Sequence, residues 1–201
     1  AAALTAAEPY TIAVIPKGTT HEFWKSIHAG AVKAQRELAA GGIPVNVIWK
    51  GPLKEDDREQ QVQVVENFIG RRVHAIVISP LDRNALVAPL ATAVRGRIPV
   101  VVVDSGLNSD LPASYVATDN REGGRVAART LARLVGPRGR VIMLRYSTGS
   151  ASTEDREVGF LEVMKQEFPE IRLVSTDQHG GVTRDTAYRT APHNLEAEQA
   201  L

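Results

Sequence analysis

The 201-residue sequence contains no cysteine, which excludes disulfides, thiolate metal sites and cysteine nucleophiles but leaves the compartment open. No apolar run approaches the ~20 residues that span a bilayer, so direct membrane insertion is not expected. Neither sign of charge dominates. Twenty-four Lys and Arg against 23 Asp and Glu leave a formal net charge of +1, with bases interleaved among acids, so nucleic acid is not an expected partner. The five histidines (21, 28, 74, 179 and 193) show no metal-ligand spacing. His21-Glu22 begins like a metalloprotease helix, but Lys25 stands where the second histidine belongs. A Walker loop, a G-x-G-x-x-G after the first strand and a G-x-S-x-G elbow are all missing. Phosphoryl, hydride and metal chemistry are therefore not expected. The sequence asks for no cofactor and reads as a non-enzyme.

What is there is a regular alternation of short β-rich runs and amphipathic helices. Strands are predicted at Tyr10–Ile15, Val45–Trp49, Ala75–Ile78, Ile98–Val103, Tyr115–Ala117, Val141–Leu144 and Arg172–Ser175. Between them, Phe23, Ile27, Ala31, Ala34 and Leu38 mark one helix face, and Gly41-Gly42 stops that helix. Asp56 or Asp57 caps a second helix carrying Val62, Val65, Phe68 and Ile69. A third runs from Asn84 to Arg95. A fourth, Asn120–Val135, turns Val126, Ala127, Leu131 and Leu134 inward. A fifth buries Val158, Leu161, Met164 and Phe168. The last stretch, Thr183–Leu201, reads as helical but broken by Pro192. The unbroken valines of the fourth strand suit a parallel strand covered on both faces. The fold class is α/β, with doubly wound parallel sheets.

Ligands in such sheets bind beyond the carboxyl ends of the strands, and three places there carry chemistry. Phe23 and Trp24 are neighbouring rings in a chain with 5% aromatics. They could stack on a sugar ring, worth roughly 0.5–1.5 kcal/mol beyond area burial, or simply pack the core. Asp104 follows the fourth strand. It could accept two hydroxyls at about 1.5–3 kcal/mol each, or form a turn with Ser105-Gly106. Arg156 lies in the first turn of the fifth helix, where the macrodipole disfavours a cation; holding a ligand is one explanation and solvent exposure the other.

These pieces occur in an order that resembles the type I periplasmic binding proteins of sugar ABC transporters, the ribose-binding-protein-like family. Lactose-repressor-type sensor domains share that fold. The matching residues are Tyr10–Ile15, Phe23-Trp24 with Gly30, Ala75–Pro80, Ile98–Ser105, Tyr115–Asn120 with Gly123-Gly124, and Arg156 with Gly159-Phe160. The resemblance implies that Phe23 and Trp24 sandwich a sugar and that His21 is a polar contact. Asp104 would accept hydroxyls, and Arg156 would donate from a second lobe. Ser105, the residue after Asp104, is also expected at the ligand, and stands where the family often carries arginine, which removes a fork of donors.

It also implies an N-terminal lobe over residues 8–117 and a partial C-terminal lobe over 118–201, because the family's second lobe continues with more strands. A partial lobe leaves a sheet edge open to a second copy, so dimerisation through an exposed edge is expected. The implied function is capture of a small carbohydrate by closure of two lobes and delivery to an ABC permease in the periplasm. The alternative is the ligand sensor of a transcription regulator. The opening Ala1–Ala7 reads either as the tail left by a removed signal peptide or as a frayed terminus.

Overall fold

Alternating and branched residues put Tyr10–Ile15 into strand β1, and a polar loop leads from it into helix α1, Glu22–Ala40. Strand β2, Val45–Trp49, pairs parallel with β1. The computed structural model describes residues 8–199, with side chains through residue 191. The opening Ala1–Ala7 and the expected helix end at Leu201 lie outside the described residues. The chain divides between Val116 and Ala117 into two units.

In the N-terminal unit, helix α2 (Arg58–Gly70) starts at an Asp57 cap whose Oδ1 accepts from the Gln60 N–H at 2.8 Å. Strand β3 (Ala75–Ile78), helix α3 (Val87–Arg95), strand β4 (Val100–Val103) and strand β5 (Ser114–Val116) follow. All pairings are parallel, in the order β2-β1-β3-β4-β5. That order reverses direction between β1 and β3, so right-handed crossovers place α1 on the face opposite α2 and α3. Ile15, Ile76, Ile78, Val100 and Val102 pack with Val65, Phe68, Leu86 and Leu90 in one core. Edge strand β5 leaves Tyr115 and Val116 exposed.

Several boundaries and faces differ from the sequence reading. Strand β4 begins at Val100 rather than Ile98, after Pro99, which has no N–H for the ladder. Helix α3 begins at Val87 because Asp82 Oδ1 folds residues 84–86 into a turn, accepting from the Asn84 and Ala85 N–H groups at 2.8 and 3.0 Å. The buried stripe of α1 is turned by about one residue. Phe23, Ala34 and Leu38 are exposed, and Trp24 is the buried residue. Polar and ring contacts to β2 set that rotation: His28 stacks on Trp49 at 4.6 Å, and Gln35 Oε1 accepts from Val47 N–H at 2.9 Å.

The C-terminal unit pairs β6 (Arg140–Ile142) with β7 (Arg172–Ser175) in parallel, and packs α4 (Asn120–Val135) on α5 (Ala151–Glu167). Here too the buried face is not the one that apolar counting selects. Val126 and Leu134 of α4 and Val158 of α5 are exposed, while Gly124, Ala128, Ala132 and Gly159 are buried. The helices cross closely. A Cβ on Gly124 would collide with the Arg156 carbonyl, and one on Gly159 with the Arg121 carbonyl. Small residues therefore win the interface, and ion pairs Arg121–Glu162 and Arg129–Glu167 flank it. Helix α6, Arg184–Gln199, continues through Pro192 instead of breaking there; the proline removes one backbone donor without ending the helix.

Candidate ligand-binding site

The point where strand order reverses lies between β1 and β3, and the exit loops there are bound to one another. Ile15, Ile78 and Val102 sit side by side in register. Beyond them Ser79 donates its N–H to Ile15 O at 3.0 Å. The Gln61 side chain, 0% exposed, reaches this point from α2. Its Nε2 donates to Pro16 O at 3.0 Å and Ser79 O at 2.9 Å, and its Oε1 accepts from Leu81 N–H at 2.8 Å. One buried amide thus satisfies three backbone groups, which rigidifies the loop bases. Outer ties add to this: Thr19 Oγ1 donates to Pro52 O at 3.1 Å, Thr20 Oγ1 to Leu53 O at 2.9 Å, and Asn108 Nδ2 to Asn84 Oδ1 at 2.6 Å.

The sequence-named residues divide on this platform. His21 caps α1, its Nδ1 accepting from Phe23 N–H at 3.1 Å, and the residue is exposed. Phe23 is 46% exposed and meets Trp24 edge-on at 4.9 Å. Trp24, expected as a second stacking surface, is instead 2% exposed, and its Nε1 donates to Glu55 Oε1 at 2.8 Å. Core packing, the alternative open for this ring, is what the structure has. Asp104 is partly exposed, and its Oδ2 accepts from Ser79 Oγ at 2.9 Å. Ser105, expected to face a ligand, is 0% exposed, and its N–H donates to Val103 O at 2.7 Å; it builds the turn beneath Asp104. A recess of about 420 Å³ between Lys50, Gln60, Gln63, Val64 and Asn67 includes none of the sequence-named residues.

In the C-terminal unit, α5 starts at Ala151 behind a Ser150 cap, so Arg156 lies in the second helical turn and not the first. The macrodipole argument for it therefore lapses. Its side chain is exposed and lines a recess of about 200 Å³ with Gly123, Gly124, Ala127, Met143, Glu157 and Phe160.

Sequence reasoning missed four residues around these places: Lys17, buried at the β1 exit; Gln61; Ser79; and Glu157. A signal existed for Gln61, which falls on the α2 face that buries Val64, Val65 and Phe68. Among the described residues no group of three or more His, Cys, Asp or Glu side chains is placed to hold a metal ion.

Burial raises the Glu157 carboxyl above its ordinary 4.5, against the opposing pull of Arg145, whose Nη1 lies 3.4 Å away. Hydrogen bonds from Arg121 and Arg129 lower Glu162 and Glu167. The folded unit holds the Glu157 proton more tightly than the unfolded chain does, so its contribution is present at low pH and lost as pH rises through the raised value. Glu162 and Glu167 act oppositely: their contribution is present above 4.5 and lost on further acidification. In urea titrations from neutral pH downward, the wild-type midpoint should first rise just above pH 4.5 and then fall. Glu157→Gln should lose the rise and keep the fall. Parallel curves for the two chains would show that Glu157 burial does not produce the rise.

Comparison with known proteins gives a consistent result. The sequence matches the periplasmic binding protein domain over residues 12–200. It is 26% identical over 168 residues to the ribose import binding protein of Bacillus subtilis, covering 84% of this chain and 53% of that protein. A carbohydrate transporter solute binding protein from Agrobacterium radiobacter, solved with D-arabinose, superposes with a TM-score of 0.80 at 34% identity, over 86% of this chain and 58% of that one. A solute binding protein from Actinobacillus succinogenes with bound D-allose gives a TM-score of 0.81 at 28% identity, over 94% and 66%. The chain spans about half the length of the curated relatives it matches.

Proposed function

The chain belongs to the periplasmic binding protein domain family, and from that membership we propose that it is an extracytoplasmic solute-binding protein that captures a small carbohydrate for an ABC importer. The observation that carries the reading is the carboxyl edge of the N-terminal sheet. There the exposed Phe23 and His21 stand at the start of α1 after β1, and the carboxylate of Asp104 stands at the exit of β4, with the β3 exit between them. A ring that can lie on the apolar face of a sugar, beside groups that bond its hydroxyls, matches carbohydrate chemistry. Arg156 is the proposed donor from the C-terminal unit.

Capture breaks no bond, and the proteins named above are all described as binding or import components. That favours transport over the regulator-sensor alternative. The proposal includes export to the periplasm with removal of a signal peptide, and delivery to a membrane permease. Among the described residues no helix is long and apolar enough to cross a membrane. A second copy pairing along an exposed edge of the two-stranded β6-β7 sheet of the C-terminal unit is the assembly proposed.

A thermal-shift panel of pentoses and hexoses tests the reading. A sugar at about 100 times its Kd adds about 2.7 kcal/mol, or roughly 5–10 °C for a chain of this size. A folded chain whose midpoint no pentose or hexose moves would sink it.

A further inference from the structure

Asp104 is held in a way that acceptance of a hydroxyl does not require. Its φ is +64°, a left-handed conformation that costs a non-glycine residue free energy. The Ser105 N–H to Val103 O bond around it is the i to i+2 pattern of a strained γ-turn. Its own N–H donates to Val116 O at 3.0 Å, fixing the backbone against β5. Its side chain is then fixed separately, through Ser79 Oγ.

Ser79 is fully buried, and its backbone is locked on both sides, by Ile15 O and by Gln61 Nε2. The hydroxyl therefore stands on a backbone tied at both ends and, being buried, meets no competition from bulk water. With Oδ2 occupied, Oδ1 is the carboxylate oxygen that accepts nothing among the described residues.

Resting on the carbohydrate reading above, we infer that Ser79 is the positioning residue of Asp104. It pins one carboxylate oxygen so that Oδ1 alone is presented to a sugar hydroxyl, and Gln61 transmits the positions of the β1 and β3 exits to it. The assignment explains why a buried hydroxyl and a buried amide stand at the sheet's switch point, where neither can touch a ligand. It also assigns the strained turn a use: the carboxylate is oriented before the sugar arrives, so little ordering remains for the binding step.

A double-mutant cycle over Ser79→Ala, Asp104→Ala and the pair tests this, with D-arabinose, D-allose and D-ribose titrated into each chain. Ser79→Ala should weaken binding about tenfold, the worth of one bond to a charged group. It should add almost nothing in the Asp104→Ala background, and Ser79→Thr, which keeps the hydroxyl, should recover most of the loss. Additive losses in the cycle, or full affinity in Ser79→Ala, would overturn the inference. If none of the three sugars binds the wild-type chain, the carbohydrate reading fails by itself, and the cycle is read from urea midpoints of the ligand-free chains. Non-additive midpoints then support the Ser79–Asp104 coupling and additive ones remove it.

Discussion

Gly124→Ala should destabilise the C-terminal unit by about 3 kcal/mol, the upper range for forcing volume into a packed interface, while Gly123→Ala, one residue earlier, should stabilise it. Both glycines lie inside α4, so both replacements gain the same ~0.5–1 kcal/mol of helix propensity. They differ in what the new methyl meets. At Gly123 nothing lies within 4 Å. At Gly124 the methyl would strike the Arg156 carbonyl and come within 2.9 Å of the Phe160 nitrogen. Those are backbone atoms of a neighbouring helix, and they cannot rotate away as a side chain can. The helices must separate, which pulls Ala128 and Ala132 from Val163 and Met164 and spreads the flanking ion pairs. Those exposed pairs are individually weak and cannot hold the crossing. Since a domain has only about 5–15 kcal/mol in total, Gly124→Val should leave β6 amides open to hydrogen exchange. Urea midpoints of the two alanine variants check the contrast. Equal shifts would mean the helices are not in close contact.

Asp104→Ala should weaken sugar binding by about 100-fold while leaving the N-terminal unit folded. Oδ1 has two lone pairs, and each charge-assisted bond is worth about 1.5–3 kcal/mol, or about 10- to 150-fold in affinity. Alanine removes these bonds without relieving the backbone, because it suffers the same strain at φ +64°. Asp104→Gly separates the two effects. Glycine adopts that φ freely, so this variant should unfold at higher urea than Asp104→Ala while binding no better. Stability and affinity thus move independently at one position, the behaviour expected where strain is stored for function. If Asp104→Gly instead unfolds at the same urea concentration as Asp104→Ala, the positive φ carries no strain worth the name.

How legible all this was in the sequence varies with the kind of information needed. The limits of β1 and α4 follow from periodicity and caps: Asp119, whose Oδ1 takes the Glu122 N–H at 2.9 Å, precedes a clear helical run. The inward faces of α1 and α4 did not follow, because large apolar residues were assumed to be the buried ones. In α4 close backbone approach selects Gly124, Ala128 and Ala132, and in α1 ring and amide contacts select Trp24, His28 and Gln35.

At the site, Phe23 and Asp104 were visible as unusual residues after strands. Their support was not. Ser79 comes next to Asp104 only through the register Ile78↔Val102, a pairing that no local pattern encodes. Trp24 and Ser105 share their neighbours' chemistry, and only the packing shows that both point into the unit. Glu157 behaves as a shifted carboxyl only because burial outweighs Arg145, a balance set by tertiary structure.

We propose that the carboxyl edge of the N-terminal sheet holds a sugar through Asp104. Isothermal titration of D-arabinose, D-allose and D-ribose into the wild-type chain and into Asp104→Ala tests it most directly. A saturable one-site heat with at least one of these sugars is expected in the wild-type chain, with a Kd about 100-fold weaker in Asp104→Ala. A folded wild-type chain silent to all three, or an Asp104→Ala variant that binds as well as wild type, would contradict it.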